Sequence, residues 1–204
     1  MSSYTKMRFA QSFLLMICLL AGQRGMCAED VSIRLAHGGP REAETRNQLT
    51  RLLDANDMSR WTFTREVVVD EDAIPHSHPI LTIHTRHRKD DDLLLSTYVH
   101  EQLHWFVATH PHEAKAAVLR LKKMYPRIPL GYPQGSEDQD GNYEHLIVCY
   151  LEYRADQGLM GELRARAVLD FWSHDHYTWI YQKVLVHPEE IGEIVKEAGL
   201  IPHS

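Results

Sequence analysis

Cysteine is scarce in this chain, and its placement excludes a disulfide-stabilised fold. Of the 3 cysteines among 204 residues, Cys18 and Cys27 lie close to the N-terminus. Cys149 is the one that remains in the rest of the sequence, so no internal disulfide can form there. The fold must therefore be held together by its hydrophobic core rather than by covalent cross-links.

Long apolar runs and an excess of basic residues are also missing from residues 29–204. No stretch there reaches the roughly 20 apolar residues that a membrane-spanning helix needs. The formal net charge is −6, and acidic and basic residues are mixed along the chain, which argues against nucleic acid as a partner. The sequence also lacks internal repeats and low-complexity tracts, as expected for a single ordinary domain.

The N-terminal segment has the composition of a secretory signal. Lys6 and Arg8 precede the apolar run 13–21, and a short polar stretch then ends at Ala28. We predict a signal peptide at residues 1–28 and a single domain at residues 29–204, exported to the periplasm or the extracellular space. The alternative is an uncleaved anchor. Beyond the signal we expect no contact with a membrane.

Hydrophobic spacing predicts a helix-rich α+β domain with a small sheet, mixed or antiparallel, near its N-terminal side. Strands are predicted at 61–69 and 80–85, and helices at 41–56, 93–109, 111–124, 143–163, 164–172 and 186–198. Asn142 is the expected N-cap of the long helix that follows it. Residues 127–141 are rich in proline, glycine and acids, which predicts a loop.

The predicted helix 93–109 carries two histidines and a glutamate in an otherwise apolar stretch. His100 and His104 are four residues apart, so a helix places both on one face, where they can bind one metal ion. Glu101 follows the first histidine and can reach a water on that metal. With 14 histidines in the chain the pattern can arise by chance. Its apolar surroundings favour the metal site, because buried polar groups need partners.

A catalytic zinc needs a third protein ligand and an open position. Glu152 interrupts the most apolar run of the predicted long helix, and a buried carboxylate must be paired or bound to metal. Asp156 lies one turn further on and is placed to accept the outer N–H of a ligating histidine. His145 lies two turns before Glu152, too far to share one ion with it. His145 is therefore the substitute third ligand or a group that contacts substrate.

The order of these motifs resembles the gluzincin branch of the zinc metallopeptidases, which includes thermolysin-like enzymes. The resemblance covers roughly residues 80–161 and depends on His100-Glu101-x-x-His104 followed by Glu152 and Asp156. It implies a zincin-like fold, with a sheet packed on the active-site helix and a second helix that carries the last ligand. It also implies Zn²⁺ bound by His100, His104 and Glu152, Glu101 as general base on a zinc-bound water, and a peptide or protein substrate.

Further polar residues are candidates for contacts with the substrate. An oxyanion formed during peptide hydrolysis needs a second donor, and the candidates are His145, His174, His176 and Tyr177, of which Tyr177 is favoured. His76 and His78 lie between two prolines before the second predicted strand. They can contact substrate, bind a second metal or be solvated in a turn. The expected edge strand beside them can pair with an extended peptide.

Three functions fit these observations. The first is a secreted or periplasmic zinc metallopeptidase. The second is a non-catalytic metal-binding protein of zincin fold, and the third is an interaction domain with vestigial chemistry. Glu101 favours the first, because a protein that only stores metal has no need of a general base beside the ligands.

Overall fold

The computed structural model describes residues 31–203, so the predicted signal peptide lies outside the described residues. The strands are β1 (Ser32–Leu35), β2 (Glu66–Val69) and β3 (Leu81–Ile83). The helices are α1 (Pro40–Ala55), α2 (Asp91–Thr109), α3 (Pro111–Met124), α4 (Gln139–Met160), α5 (Glu162–Trp172), α6 (Thr178–Val186) and α7 (Pro188–Glu197), and a short 3₁₀ turn spans Thr85–His87. The helix-rich α+β class predicted from the sequence is confirmed.

The small sheet is parallel throughout, so the prediction of a mixed or antiparallel sheet was wrong. The strand order is β1-β2-β3, with Val67 opposite Leu81 and Val69 opposite Ile83. Helix α1 returns the chain between β1 and β2, and the loop 70–80 returns it between β2 and β3, so all three strands point the same way. Helix α1 packs on β1 and β2, and α2 packs on β3.

Helix α2 begins at a capping residue and ends before a proline, as its sequence predicts. The Asp90 carboxylate accepts hydrogen bonds from the backbone N–H groups of Asp92 and Leu93, and acidic residues in the first turn complement the helix dipole. Pro111 ends the helix and opens α3. Between these ends the helix is buried on nearly all sides. Consequently its polar residues must find partners inside the protein.

Helix α4 is the central element of the helical layer and packs against α2, α3, α5, α6 and α7. It begins earlier than predicted, because Asp138 rather than Asn142 accepts the first backbone N–H groups, those of Asp140 and Gly141. The side chain of Asn142 is buried instead and holds the preceding loop through Ser136 and Pro129. Because of the early start, His145 lies in the second turn of α4 rather than in its first, and its ring packs against His100 and His104 of α2.

Two elements were missed by the sequence prediction. Strand β1 alternates polar and apolar residues, but at four residues it is too short for that pattern to be distinctive. Helix α6 follows the polar segment 173–177, and no helix was predicted between residues 172 and 186. Within residues 31–203 no helix is both long and apolar enough to cross a membrane.

Candidate metal centre

Helices α2 and α4 bring three histidines together. His100 and His104 come from α2 and His145 comes from the second turn of α4, and one ring nitrogen of each lies within 4.8 Å of the others. The Nε2 atoms of His100 and His104 are 3.2 Å apart. Two nitrogens bound to one tetrahedral zinc at about 2.05 Å lie about 3.3 Å apart, so this spacing fits the ion.

The outer nitrogens of two of these histidines are already bonded to oxygen atoms. His100 Nδ1 lies 2.8 Å from Glu152 Oε2, and His145 Nδ1 lies 2.8 Å from the backbone carbonyl oxygen of Gly141. Because both partners are acceptors, each Nδ1 is the donor of its ring, and Nε2 is the nitrogen of each ring that can bind a metal once it has lost any proton. This is the arrangement by which proteins orient histidines that bind metal.

Glu152, predicted to be the third ligand, lines the same cavity, but its carboxylate meets His100 at Nδ1, the opposite nitrogen to the one that faces His104. Its carboxylate lies on the far side of the His100 ring and accepts hydrogen bonds from His100 Nδ1, from the Ser96 hydroxyl at 2.6 Å and from the Tyr181 hydroxyl at 2.9 Å. His145 occupies the third position instead. The separation of His145 from Glu152 along α4 explains why both cannot face the same point.

Asp156 also lies elsewhere than expected. It is fully buried, yet neither carboxyl oxygen has a hydrogen-bond partner among the described residues, and it does not accept the N–H of a ligating histidine. The N–H of His100 is accepted by Glu152 instead. Burial and the nearby Glu152 carboxylate raise the pKa of Asp156 well above its usual value, which favours the neutral form of this carboxyl group.

Two other groups of potential ligands are present. His100, Cys149 and Glu152 form a fully buried group on the inner side of α4, and His37, Asp70 and Asp72 form an exposed group at the ends of β1 and β2. Burial raises the pKa of the Cys149 thiol, which keeps it protonated and a weak ligand. All three members of the three-histidine group line one cavity, whereas Cys149, His37, Asp70 and Asp72 do not line it.

Glu101 lies beside the histidines on the same cavity. It is 6% exposed and lines the cavity together with His100, His104 and His145. Burial raises the pKa of Glu101 to about 7, and the neighbouring His100 and His76 oppose this increase. A carboxyl group with a pKa near neutrality is suited to take up and release a proton.

The three histidines differ in their affinity for protons. Burial disfavours the charged form of all three, but the Glu152 carboxylate outweighs it at His100 and raises the pKa of that ring well above its usual value. Burial and the charge of His100 lower the pKa of His104, and the same two causes lower the pKa of His145 to about 4. Of the three rings, His100 is therefore the one that holds a proton most tightly.

Tyr177 is held against the three-histidine group. Its ring stacks on His145 with centroids 4.1 Å apart, and it lines the cavity. Its backbone φ is 48°, in the left-handed region that residues other than glycine rarely adopt. Such a conformation persists only where the surrounding structure enforces it, and it often marks a functional position.

A chain of charged and polar groups forms another part of the cavity wall. The Arg86 guanidinium binds both carboxylate oxygens of Asp175, and Asp175 Oδ2 lies 2.9 Å from His176 Nδ1. The paired guanidinium lowers the pKa of Asp175 to about 2. The sequence analysis identified His176 but missed Arg86 and Asp175, for which the local pattern gives no signal beyond the polarity of the segment 173–177.

Of the other histidines predicted to contact substrate, only some line the cavity. His76 lines the cavity. His78 does not, because its ring stacks on Trp105 with centroids 4.2 Å apart. His174 is turned away and bonds through Nδ1 to the carbonyl oxygen of Asp170. The buried Tyr181 and Ser96, which support Glu152, were not predicted, because their role depends on contacts between distant helices.

Comparison of the chain with protein-family models, with curated proteins and with solved structures found no match.

The first prediction concerns the identity of the third ligand. His145→Ala should reduce zinc affinity at least about 100-fold, as loss of a direct ligand does, whereas Glu152→Gln should reduce it about 10–100-fold, as loss of a supporting carboxylate does. The measurement is zinc titration against a competing chelator. His112→Ala, an exposed histidine on α3, is the control and should bind zinc normally. A Glu152 variant that loses more affinity than the His145 variant would restore the carboxylate as ligand.

The second prediction is a pH dependence. Because the pKa of His100 is raised and those of His104 and His145 are lowered, zinc must displace one proton, so affinity should fall about tenfold per unit between pH 6.5 and 5. Three histidines of ordinary pKa would give a slope that steepens towards three. The measurement is best made on Glu101→Gln, which removes the titration of that carboxyl group. A slope of two or more at pH 5 would contradict the assignment.

Proposed function

We propose that this protein is a zinc-dependent hydrolase of peptide bonds, with His100, His104 and His145 as the metal ligands. The observation that carries the proposal is the placement of three histidine nitrogens and the Glu101 carboxyl on one cavity of about 540 Å³. Zinc at such a site would act as a Lewis acid that lowers the pKa of water and polarises a carbonyl group. A protein that only stores metal has no need of the buried carboxyl or of the cavity.

Glu101 is the residue to which we assign the proton transfer. Its carboxylate would take a proton from the attacking water and deliver it to the amide nitrogen as the carbon–nitrogen bond breaks. The products are a carboxylic acid and an amine, and no electrons are exchanged. The raised pKa of Glu101, about 7, supports both halves of this transfer.

Tyr177 is the donor that we assign to the negative charge developing on the carbonyl oxygen. The stacking of its ring on His145 keeps the side chain beside the proposed ligands, and the left-handed backbone at Tyr177 sets the direction from which it approaches. A donor oriented in advance stabilises such a charge without reorganisation during the reaction. His176, held by Asp175, is the other donor on this wall of the cavity.

The proposal keeps a zincin-like arrangement but departs from the gluzincin pattern in its third ligand. His145 lies on α4 two turns before Glu152, and it takes the place that the resemblance assigned to the glutamate. Export through the N-terminal segment 1–28 also remains a prediction. Both points can be tested without knowledge of the natural substrate, by metal analysis and by N-terminal sequencing of the mature protein.

The third prediction separates the base from the ligands. Glu101→Gln should keep its zinc and lose about 100-fold or more of its peptidase activity, because an amide cannot accept a proton from water. Glu144→Gln is a matched control, since this glutamate is exposed beside His145 on α4 and should keep both zinc and activity. A Glu101→Gln protein that binds zinc and remains fully active would refute the role assigned to this carboxyl group.

The fourth prediction concerns Tyr177. Tyr177→Phe keeps the ring on His145 and removes only the hydroxyl group, so zinc content should be unchanged while kcat falls about 100-fold. Tyr181→Phe should give the opposite profile, with weaker zinc binding, because that hydroxyl donates to Glu152 rather than facing the substrate. Unchanged kcat in Tyr177→Phe together with a large loss in His176→Gln would transfer the role to His176.

A further inference from the structure

Residues 74–79, here called the strap, cover the outer edge of the sheet beside the cavity. The backbone N–H of Thr82 donates to the carbonyl oxygen of His76 at 2.8 Å, and the N–H of His76 donates to the carbonyl oxygen of Thr82 at 3.2 Å. Thr82 is the central residue of β3, whose other edge pairs with β2. Strand β3 therefore has no outward-facing peptide group left at Thr82 for an incoming chain.

The strap itself offers little to an incoming strand. In an extended segment, alternate residues present their peptide groups to the same side, so the outward positions next to His76 are Pro75 and Ser77. Pro75 has no N–H, and the chain bends away from an extended course at residues 78–80. The carbonyl oxygen of Ser77 already accepts a hydrogen bond of 2.8 Å from Trp105 Nε1. An extended peptide would find a row of partners that is interrupted at most positions.

Trp105 fixes the strap to the helix that carries the proposed ligands. Besides the bond to Ser77, its ring stacks on His78 at 4.2 Å between centroids. Trp105 follows His104 directly, but it is not among the residues that line the cavity. The strap is thus held on one side by β3 and on the other by α2, and it forms a fixed wall of the cavity through Ile74, Pro75, His76 and Ser77.

The cavity behind this wall suits a small uncharged group. Its volume of about 540 Å³ is that of a site for one small molecule. Its guanidinium, Arg86, is paired with both oxygens of Asp175 and is not free to bind a terminal carboxylate. Ile74 and Tyr132 both line the cavity and are 84% and 82% exposed, so apolar surface is available to the part of a substrate that enters first.

From these four observations we infer that the substrate is a small amide with uncharged, apolar flanking groups, bound without main-chain pairing to the sheet. The inference rests on the proposed hydrolase function and narrows its substrate class. Extended polypeptides, which bind proteases by adding a strand to an exposed edge, are poor substrates in this arrangement. Trp105 acts as a positioning residue, because it determines selectivity by holding the strap.

The first experiment compares substrates on the zinc-loaded wild-type protein. The probes are a dipeptide acetylated at its N-terminus and amidated at its C-terminus, the same dipeptide with free termini, and a ten-residue peptide containing the same bond. We expect the capped dipeptide to have the highest kcat/KM. A kcat/KM that rises about tenfold or more with length would overturn the inference, since each added main-chain hydrogen bond is worth about fivefold.

The second experiment tests main-chain pairing directly. Methylation of two backbone amide nitrogens flanking the scissile bond in the ten-residue peptide removes two donors without changing its side chains. We expect kcat/KM to change less than about threefold, whereas loss of two pairing bonds would lower it roughly 30-fold. A loss of that size would show that the peptide is held as a strand.

The third experiment releases the strap. Trp105→Ala removes both contacts, and Trp105→Phe removes the N–H donor while keeping a ring against His78. We expect faster hydrogen exchange at the Thr82 amide, a KM for the capped dipeptide raised about fivefold and unchanged zinc content, with the larger effect in Trp105→Ala. Trp179→Ala is the control, since Trp179 packs on Tyr125 away from the strap. Unchanged exchange and KM in both Trp105 variants would refute its positioning role.

The outcomes distinguish this inference from the proposed function. If neither the zinc-loaded wild-type protein nor its Glu101→Gln variant hydrolyses any of the probes, the hydrolase proposal itself fails. If the wild type cleaves the ten-residue peptide best and Glu101→Gln does not, the hydrolase proposal stands and the inferred substrate class is wrong.

Discussion

The buried carboxylate of Glu152 is the constraint on which the rest of the site depends. A carboxylate without exposure to water is costly unless its oxygens accept several hydrogen bonds, and this one accepts them from His100, Ser96 and Tyr181. These donors come from α2 and α6, so satisfying one charge on α4 fixes three helices relative to one another. The same contact turns the His100 ring so that Nε2 faces His104 and His145.

One turn beyond Glu152, a second buried carboxyl group shows that the site does not readily hold two negative charges. Asp156 is fully buried without a hydrogen-bond partner among the described residues, and its pKa is raised well above the usual value by burial and by Glu152. Two adjacent buried carboxylates would repel each other, which favours the neutral form of Asp156. The Glu152 carboxylate at His100 Nδ1 raises the pKa of that ring and so favours a positive charge on it.

A second constraint shapes the wall of the cavity that the strap forms. The chain has to return from the end of β2 to the start of β3, because the two strands are parallel. The loop 70–80 has to run back beside β3, and in doing so it pairs His76 with Thr82 and passes over α2 at Trp105. A sheet edge that is covered by its own chain is protected from pairing with other chains. In this protein the same protection closes the cavity next to the proposed zinc ligands.

The sequence by itself determined the local features of this protein: the bounds of α3, the helix that carries His100, Glu101 and His104, and the helix-rich class, because periodicity and capping act over a few residues. It did not determine which residue of α4 joins the two histidines, since His145 and Glu152 lie on one helix and their roles depend on how α4 is positioned against α2. Local patterns also could not show that the strands are parallel, because strand direction depends on which strands pair. Arg86 and Asp175 are 89 residues apart, and only the tertiary structure brings them together. Contacts of this kind are selected by packing and by the need to satisfy buried charge, which act on the whole fold at once.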